Sequence, residues 1–255
     1  MKKAERVFGL HAVTSLLERN PARVSLLQVL ESRDDPRVQR VLELAGKANV
    51  PVRRVSRREL DELVPGVSHQ GVVAETGEAN NVSEHELTGF LEQLEHPAFL
   101  LILDGIQDPH NLGAVLRNCS LNGATAVILP RDRTAGVTPT VEKVAAGALE
   151  YVDVVKVGNL AAAMRKLKEK GFWITGADPG GDVELPDADF RGLSAIVIGD
   201  EHRGLRRLTK EHCDRLVKIP STGRVASYNM ATASGLFLFT AYLQQRQISS
   251  ASSTK

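Results

Sequence analysis

Three short segments of this 255-residue chain carry polar side chains where the surrounding pattern calls for none. The first is DPHNLGAVLRNCSLNGA (108–124), which follows the apolar run FLLILDGI (99–106). Asn111 stands as an N-cap candidate for a helix expected at 112–122, and Arg117 is the only formally charged residue along it. Leu112, Val115, Leu116 and Cys119 recur at i, i+3, i+4 and i+7, so they form the core stripe. At about 100° per residue, Arg117 falls almost opposite that stripe, one turn beyond Gly113 and beside Ala114 and Leu121. A lone guanidinium there suits a phosphate or a developing negative charge. A capped helix with a surface arginine is the alternative. The second segment, IVIGDEHRGL (196–205), runs from an apolar strand into Gly199, Asp200, Glu201 and Gly204. Glycines permit close backbone approach, although a strand end before a capped helix reads equally well. The third, KIPSTGRVASYNMATASGLFLF (218–239), passes through Pro220 and Gly223 to Ser227 and Asn229. By themselves these two read as N-cap residues of a helix that is small and apolar on nearly all sides.

Elements must bring these segments together. Strands are expected at 25–32, 50–55 and 70–75, with helices at 8–19 and 38–48, which makes a small α/β domain of residues 1–77. The polar stretch 76–87 leads into a short acidic helix around 84–95, and residues 78–96 read as a linker. A second α/β domain follows at 97–247. Its strands are expected at 99–104, 125–129, 151–157, 172–176, 194–198 and 216–219, and its helices at 112–122, 139–149, 159–170 and 228–245. Short apolar strands separated by helices imply a mostly parallel sheet covered on both faces. Ligands of such sheets sit at the carboxyl ends of the strands, where all three segments begin. The polar tail 248–255 is expected to be disordered.

The composition, 42% hydrophobic and 25% charged, is that of a globular protein. No run reaches membrane-spanning length and no signal peptide is evident. Two cysteines do not make a disulfide framework, so a cytoplasmic setting is expected. The net charge of +1 hides local clusters, Arg53, Arg54, Arg57 and Arg58 in one place and Arg203, Arg206 and Arg207 in another. They read either as solvated helix faces or as phosphate contacts. Glycines at Walker spacing (199–205) end in Leu205 where a lysine is required, and no dinucleotide fingerprint or G-x-S-x-G elbow is present. His202, His212 and Cys213 lack zinc-ligand spacing, so no metal is expected.

Taken in order, N-x-G-x-x-x-R from Asn111 to Arg117, I-x-G-x-E-x-x-G-L around Gly199 and Glu201, and I-P-x-x-G-x-x-x-S-x-N from Ile219 to Asn229 resemble the three motifs of the SpoU family of RNA ribose 2′-O-methyltransferases. LPRDRTAGVTPTVEKVAAGALE and RRLTKEHCD extend the likeness to the branch acting on a guanosine of 23S rRNA. The front segment, from FGLHAVTSLLERNP to HQGVVAE, is similar to that family's RNA-binding domain, itself like ribosomal protein L30e. The resemblance implies a C-terminal trefoil knot, a homodimer, 23S rRNA or its assembling particle as partner, and S-adenosylmethionine as cofactor. It implies cofactor contacts at Gly199, Ile219 and Tyr228, with the glycine leaving room for the cofactor. It also implies catalytic positions at Asn111, Arg117, Glu201, Ser227 and Asn229, with Glu201 orienting Arg117 or Asn111. Tyr228, where the motif usually has leucine, and Met230-Ala231, where it has Val-Ser, depart from the family pattern.

Overall fold

The computed structural model describes residues 5–76, 81–83, 86–94, 97–132, 134–201, 203–223 and 227–252. They form two compact units, Met1–Asn80 with Val137–Tyr151, and Asn81–Gly136 with Val152–Lys255.

The first unit contains β1 (Glu5–Phe8), α1 (Leu10–Arg19), β2 (Val24–Leu30), α2 (Pro36–Lys47), β3 (Val52–Val55), α3 (Arg57–Leu63) and β4 (Val72–Thr76). Its sheet has the order β1-β4-β2-β3, with β4 antiparallel to both neighbours and β2 parallel to β3. Local chemistry sets the helix starts. Asp35 accepts from the Arg37 N–H ahead of Pro36-led α2, and Ser56 and Glu59 form a capping box on α3. The periodic apolar faces of α1 and α2 bury Val13, Leu16, Val38 and Val41 against Leu27 and Val29 of β2. Each arginine of the 53–58 cluster has an acidic neighbour: Arg53–Glu59 at 3.2 Å, Arg54–Asp34 at 3.7 Å, Arg57–Asp61 at 3.9 Å and Arg58–Glu62 at 2.9 Å. All are exposed, so each pair adds little stability and the cluster is a solvated, internally balanced surface.

The second unit opens with β5 (Asn81–Ser83) and α4 (Leu87–Glu92), both inside the stretch read as a linker. Then come β6 (Phe99–Leu103), α5 (Pro109–Leu121) and β7 (Ala126–Pro130). α6 (Pro139–Ala145) belongs to the first unit. The helix expected over 139–149 ends there because Ala146 and Gly147 take positive φ angles of 51° and 90°, and a 3-10 turn at Ala148–Glu150 follows. The second unit resumes with β8 (Asp153–Val157), α7 (Leu160–Glu169), β9 (Trp173–Ala177), β10 (Val183–Glu184), β11 (Ser194–Ile198), α8 (Arg207–His212), β12 (Arg215–Lys218) and α9 (Met230–Ser252). The sheet order is β10-β12-β9-β11-β6-β7-β8-β5, and every strand pair is parallel. β6, β7 and β11 are buried at every position, as a sheet covered on both faces requires. The order places the carboxyl ends of β6 and β11 side by side, with β9 and β12 next in line. α9 continues to Ser252, so the tail expected to be disordered from 248 is helical as far as that residue. Adding residues to an existing helix costs far less than starting one.

Candidate active site

Three chain segments converge at those strand ends. The first leaves β6 and enters α5. Asp108 is the cap here, accepting from the His110 N–H at 2.9 Å, and Pro109 takes the first helical position. Asn111 is therefore not the N-cap expected from the sequence. It sits inside the first turn, and its side chain is free to reach elsewhere.

The second segment leaves β11. Asp200 and Gly204 exchange backbone hydrogen bonds of 3.1 and 2.8 Å, and the Arg203 N–H donates to Asp200 Oδ1 at 3.1 Å, closing a tight hairpin that presents Glu201. A Cβ on Gly199 would lie 2.2 Å from the Gly204 carbonyl carbon. The close approach that demands glycine is thus made by the loop's own backbone, where the sequence reading had placed the cofactor.

The third segment leads from β12 into α9. The helix begins at Met230, and Asn229 caps it, its Oδ1 accepting from the N–H groups of Ala231 at 2.9 Å and Thr232 at 3.4 Å. Of the two expected cap residues, Asn229 caps and Ser227 lines the adjacent cavity instead. The other end of the Asn229 amide is equally committed. Its Nδ2 donates to Asn111 Oδ1 at 3.1 Å and to Glu201 Oε1 at 3.3 Å, while Asn111 Nδ2 donates to Glu201 Oε2 at 3.2 Å. Three side chains from remote segments close a hydrogen-bonded ring in which both carboxylate oxygens are engaged.

Beside the ring lies a cavity of about 1230 Å³. Gly199, Ile219 and Tyr228 line it, together with Glu201, Ser227 and Asn229. Ile198, Val217, Met230 and Phe237 give it apolar walls, and Asp178, Glu184 and Asp200 join Glu201 to make it acidic against the single Lys218. Arg117 is exposed on α5, is not part of this lining, and has no hydrogen bond or ion pair among the described residues. Within one chain Glu201 therefore orients Asn111 and not Arg117.

Sequence reasoning took Arg206 only as part of an arginine cluster and did not pair it with Asp104. Asp104 directly follows β6, and its side chain is fully buried. It accepts from the Arg206 backbone N–H at 2.8 Å and from Arg206 Nε at 2.5 Å, and pairs with Nη2 as well. The available signal was a carboxylate ending an all-apolar strand, since a buried charge demands a partner. Arg207, the neighbour in that cluster, pairs with Glu211 at 2.5 Å. Neither cysteine suits nucleophilic chemistry: burial pushes the Cys119 thiol up, and pushes Cys213 up to about 12. His212 is held by the Leu208 carbonyl at 2.8 Å, while His202 lies outside the described residues. Among the described residues no group of three His, Cys, Asp or Glu is gathered that could hold a metal.

Comparison with known proteins shows the family of the chain. Residues 98–239 match the SpoU rRNA Methylase family, and residues 6–82 match the RNA 2′-O ribose methyltransferase substrate binding family. The chain is 45% identical over 248 residues to the 23S rRNA (guanosine-2′-O-)-methyltransferase RlmB of Pseudomonas putida, covering 97% of this chain and 99% of that one. It is 46% identical over 246 residues to the protein of the same name from Pseudomonas syringae pv. tomato, covering 96% and 98%. Among solved structures, the SpoU methyltransferase AviRb of Streptomyces viridochromogenes in complex with AdoMet shares the fold, with a TM-score of 0.76 at 22% identity over 96% of this chain and 91% of that one.

Proposed function

This chain belongs to the SpoU rRNA methylase family, and from that premise we propose that it transfers a methyl group from S-adenosylmethionine to the ribose 2′-hydroxyl of a guanosine in 23S rRNA. The observation that carries the reading is the closed ring of Asn111, Glu201 and Asn229 at the edge of an acidic, partly apolar cavity. The cavity fits the cofactor chemically. Apolar walls suit an adenine ring, and four carboxylates suit a molecule with a cationic sulfonium and an ammonium group. Gly199, Ile219 and Tyr228 would hold it. When bound, S-adenosylmethionine supplies an activated methyl group and a neutral thioether leaving group.

The protein's own part is then positioning and charge. The ring fixes the Glu201 carboxylate with two amide donors, one on each oxygen, and leaves Asn111 and Asn229 rigid where the ribose would enter. Ser227 shapes the wall beside them. Arg117 acts electrostatically, because a guanidinium stays protonated and cannot serve as a base at neutral pH. Its fork would clamp the neighbouring phosphate or steady the developing negative oxygen.

Arg117 lies outside the cavity lining of its own chain, and a homodimer that brings it to the partner's site is part of this reading. Leu236, Phe239 and Leu243 are exposed on one face of α9, which packs on α5, where Leu121 is 71% exposed one turn beyond Arg117. Apolar side chains at this spacing suit a helix face that a twin subunit covers. The C-terminal trefoil knot also belongs to the proposal. So do the cytoplasmic setting that rRNA implies and the role of the first unit as RNA-binding domain. Among the described residues no helix is long and apolar enough to cross a membrane.

Mapping ribose methylation on 23S rRNA from cells with and without the gene tests the function. One guanosine should lose its mark, and an unchanged map would refute the assignment. Light scattering tests the dimer: Phe239→Glu should yield monomers, and an unaltered mass would exclude that face.

A further inference from the structure

We propose that the buried Asp104–Arg206 pair is a positioning device for methyl transfer, a joint that sets the Glu201 loop against the strand end leading to Asn111. The inference rests on the site described above. Asp104 ties down both ends of the loop. Its N–H donates to the Ile198 carbonyl at 2.9 Å, at the last residue of β11 before Gly199. Its carboxylate receives the Arg206 backbone N–H at 2.8 Å and the guanidinium Nε at 2.5 Å just past Leu205. Entry and exit of the Glu201 hairpin are thereby anchored on one residue. From that same residue the chain runs on through Asp108 into α5, where Asn111 meets Glu201 at 3.2 Å.

The chemistry of the pair supports this role over simple cohesion. Its carboxylate side chain is completely buried, whereas the arginine side chain is 42% exposed. A well-packed apolar pair would hold two strand ends together at least as firmly, because burying a charge carries a desolvation penalty. What the ion pair adds is direction: a planar fork and a backbone N–H fix the carboxylate in one orientation. Direction is what the ring needs, since its three hydrogen bonds, at 3.1–3.3 Å, have little slack.

The test uses the full-length protein with Asp104→Asn, studied well below its unfolding temperature. Two quantities are measured: the side-chain amide resonances of Asn111 and Asn229, and kcat separately from KM for the RNA. The resonances should move toward those of free asparagine side chains. kcat should fall about tenfold or more while KM for the RNA holds, because misplacement of catalytic groups acts on the chemical step. Should Asp104→Asn fail to fold, Arg206→Lys keeps the charge and removes the fork, and the same changes are expected. Unmoved amide resonances, or an unchanged kcat beside a lowered unfolding temperature, would overturn the proposal and leave the pair a structural tie. The resonances report on the ring without turnover. A wild-type chain that methylates no RNA would therefore sink the function above and leave this test intact.

Discussion

Asn229 does two jobs with two ends of one amide, and substitution can separate them. Its Oδ1 caps α9 through two backbone N–H groups, and its Nδ2 serves Asn111 and Glu201. Asn229→Ala removes both. Losing the cap should cost about 1 kcal/mol, which lowers the unfolding temperature of the larger unit by about 2–4 °C. Asn229→Ser restores an oxygen where the cap needs one, so stability should return to within a few tenths of a kcal/mol of wild type. Serine is too short and has no amide donor, so the ring stays open in both variants. Loss of a placed donor in a catalytic site costs about a hundredfold in kcat, and both variants should show that loss alike. The assay pairs thermal unfolding with methyl transfer from labelled cofactor to 23S rRNA fragments. Methyl transfer near the wild-type rate in Asn229→Ser would refute the ring as the working part of the site. Equal destabilisation of the two variants would refute the cap.

Gly199→Ala should destabilise by about 1–3 kcal/mol and weaken cofactor binding in calorimetry, because its Cβ would meet the Gly204 backbone at 2.2 Å; wild-type affinity would show that the hairpin can open. Arg117→Lys should abolish methylation with stability changed by less than about 0.5 kcal/mol, because lysine keeps the charge and lacks the fork; full activity would refute a bidentate role. The Arg191 guanidinium bonded to Asp189 holds that carboxyl well down, at about 2. A depressed carboxylate stabilises the fold above its ordinary range and loses that contribution as pH falls toward about 2. Carbon NMR titration should find Asp189 there, and Arg191→Met should return it toward the usual carboxylate range.

The parallel sheet, the strand positions within a residue or two, and the segments that meet at its carboxyl edge were legible in the sequence. A covered parallel sheet leaves its mark as fully apolar runs such as FLLIL and SAIVI. Short elements were not legible. β5, β10 and α8 are too brief for a period to register, and α8 lies where the sequence offered a capped helix only as one of two readings. Helix starts slipped where two caps competed. Asp108-Pro109 took α5 three residues earlier than Asn111 would have, and Asn229 took α9 later than Ser227 would have.

Residue types, their order and their spacing are local information, and they determined which side chains could do chemistry and which strand ends they would leave. Partnership is another matter, because it depends on distances between residues that the chain separates by up to 118 positions. Only the folded molecule decided that Glu201 answers to Asn111 and Asn229 and not to Arg117, and that Gly199 makes room for Gly204. It likewise decided that the arginines at 53–58 answer neighbouring acids. A hydrogen bond selects its partner within a few tenths of an ångström, a precision that no periodicity in a sequence carries.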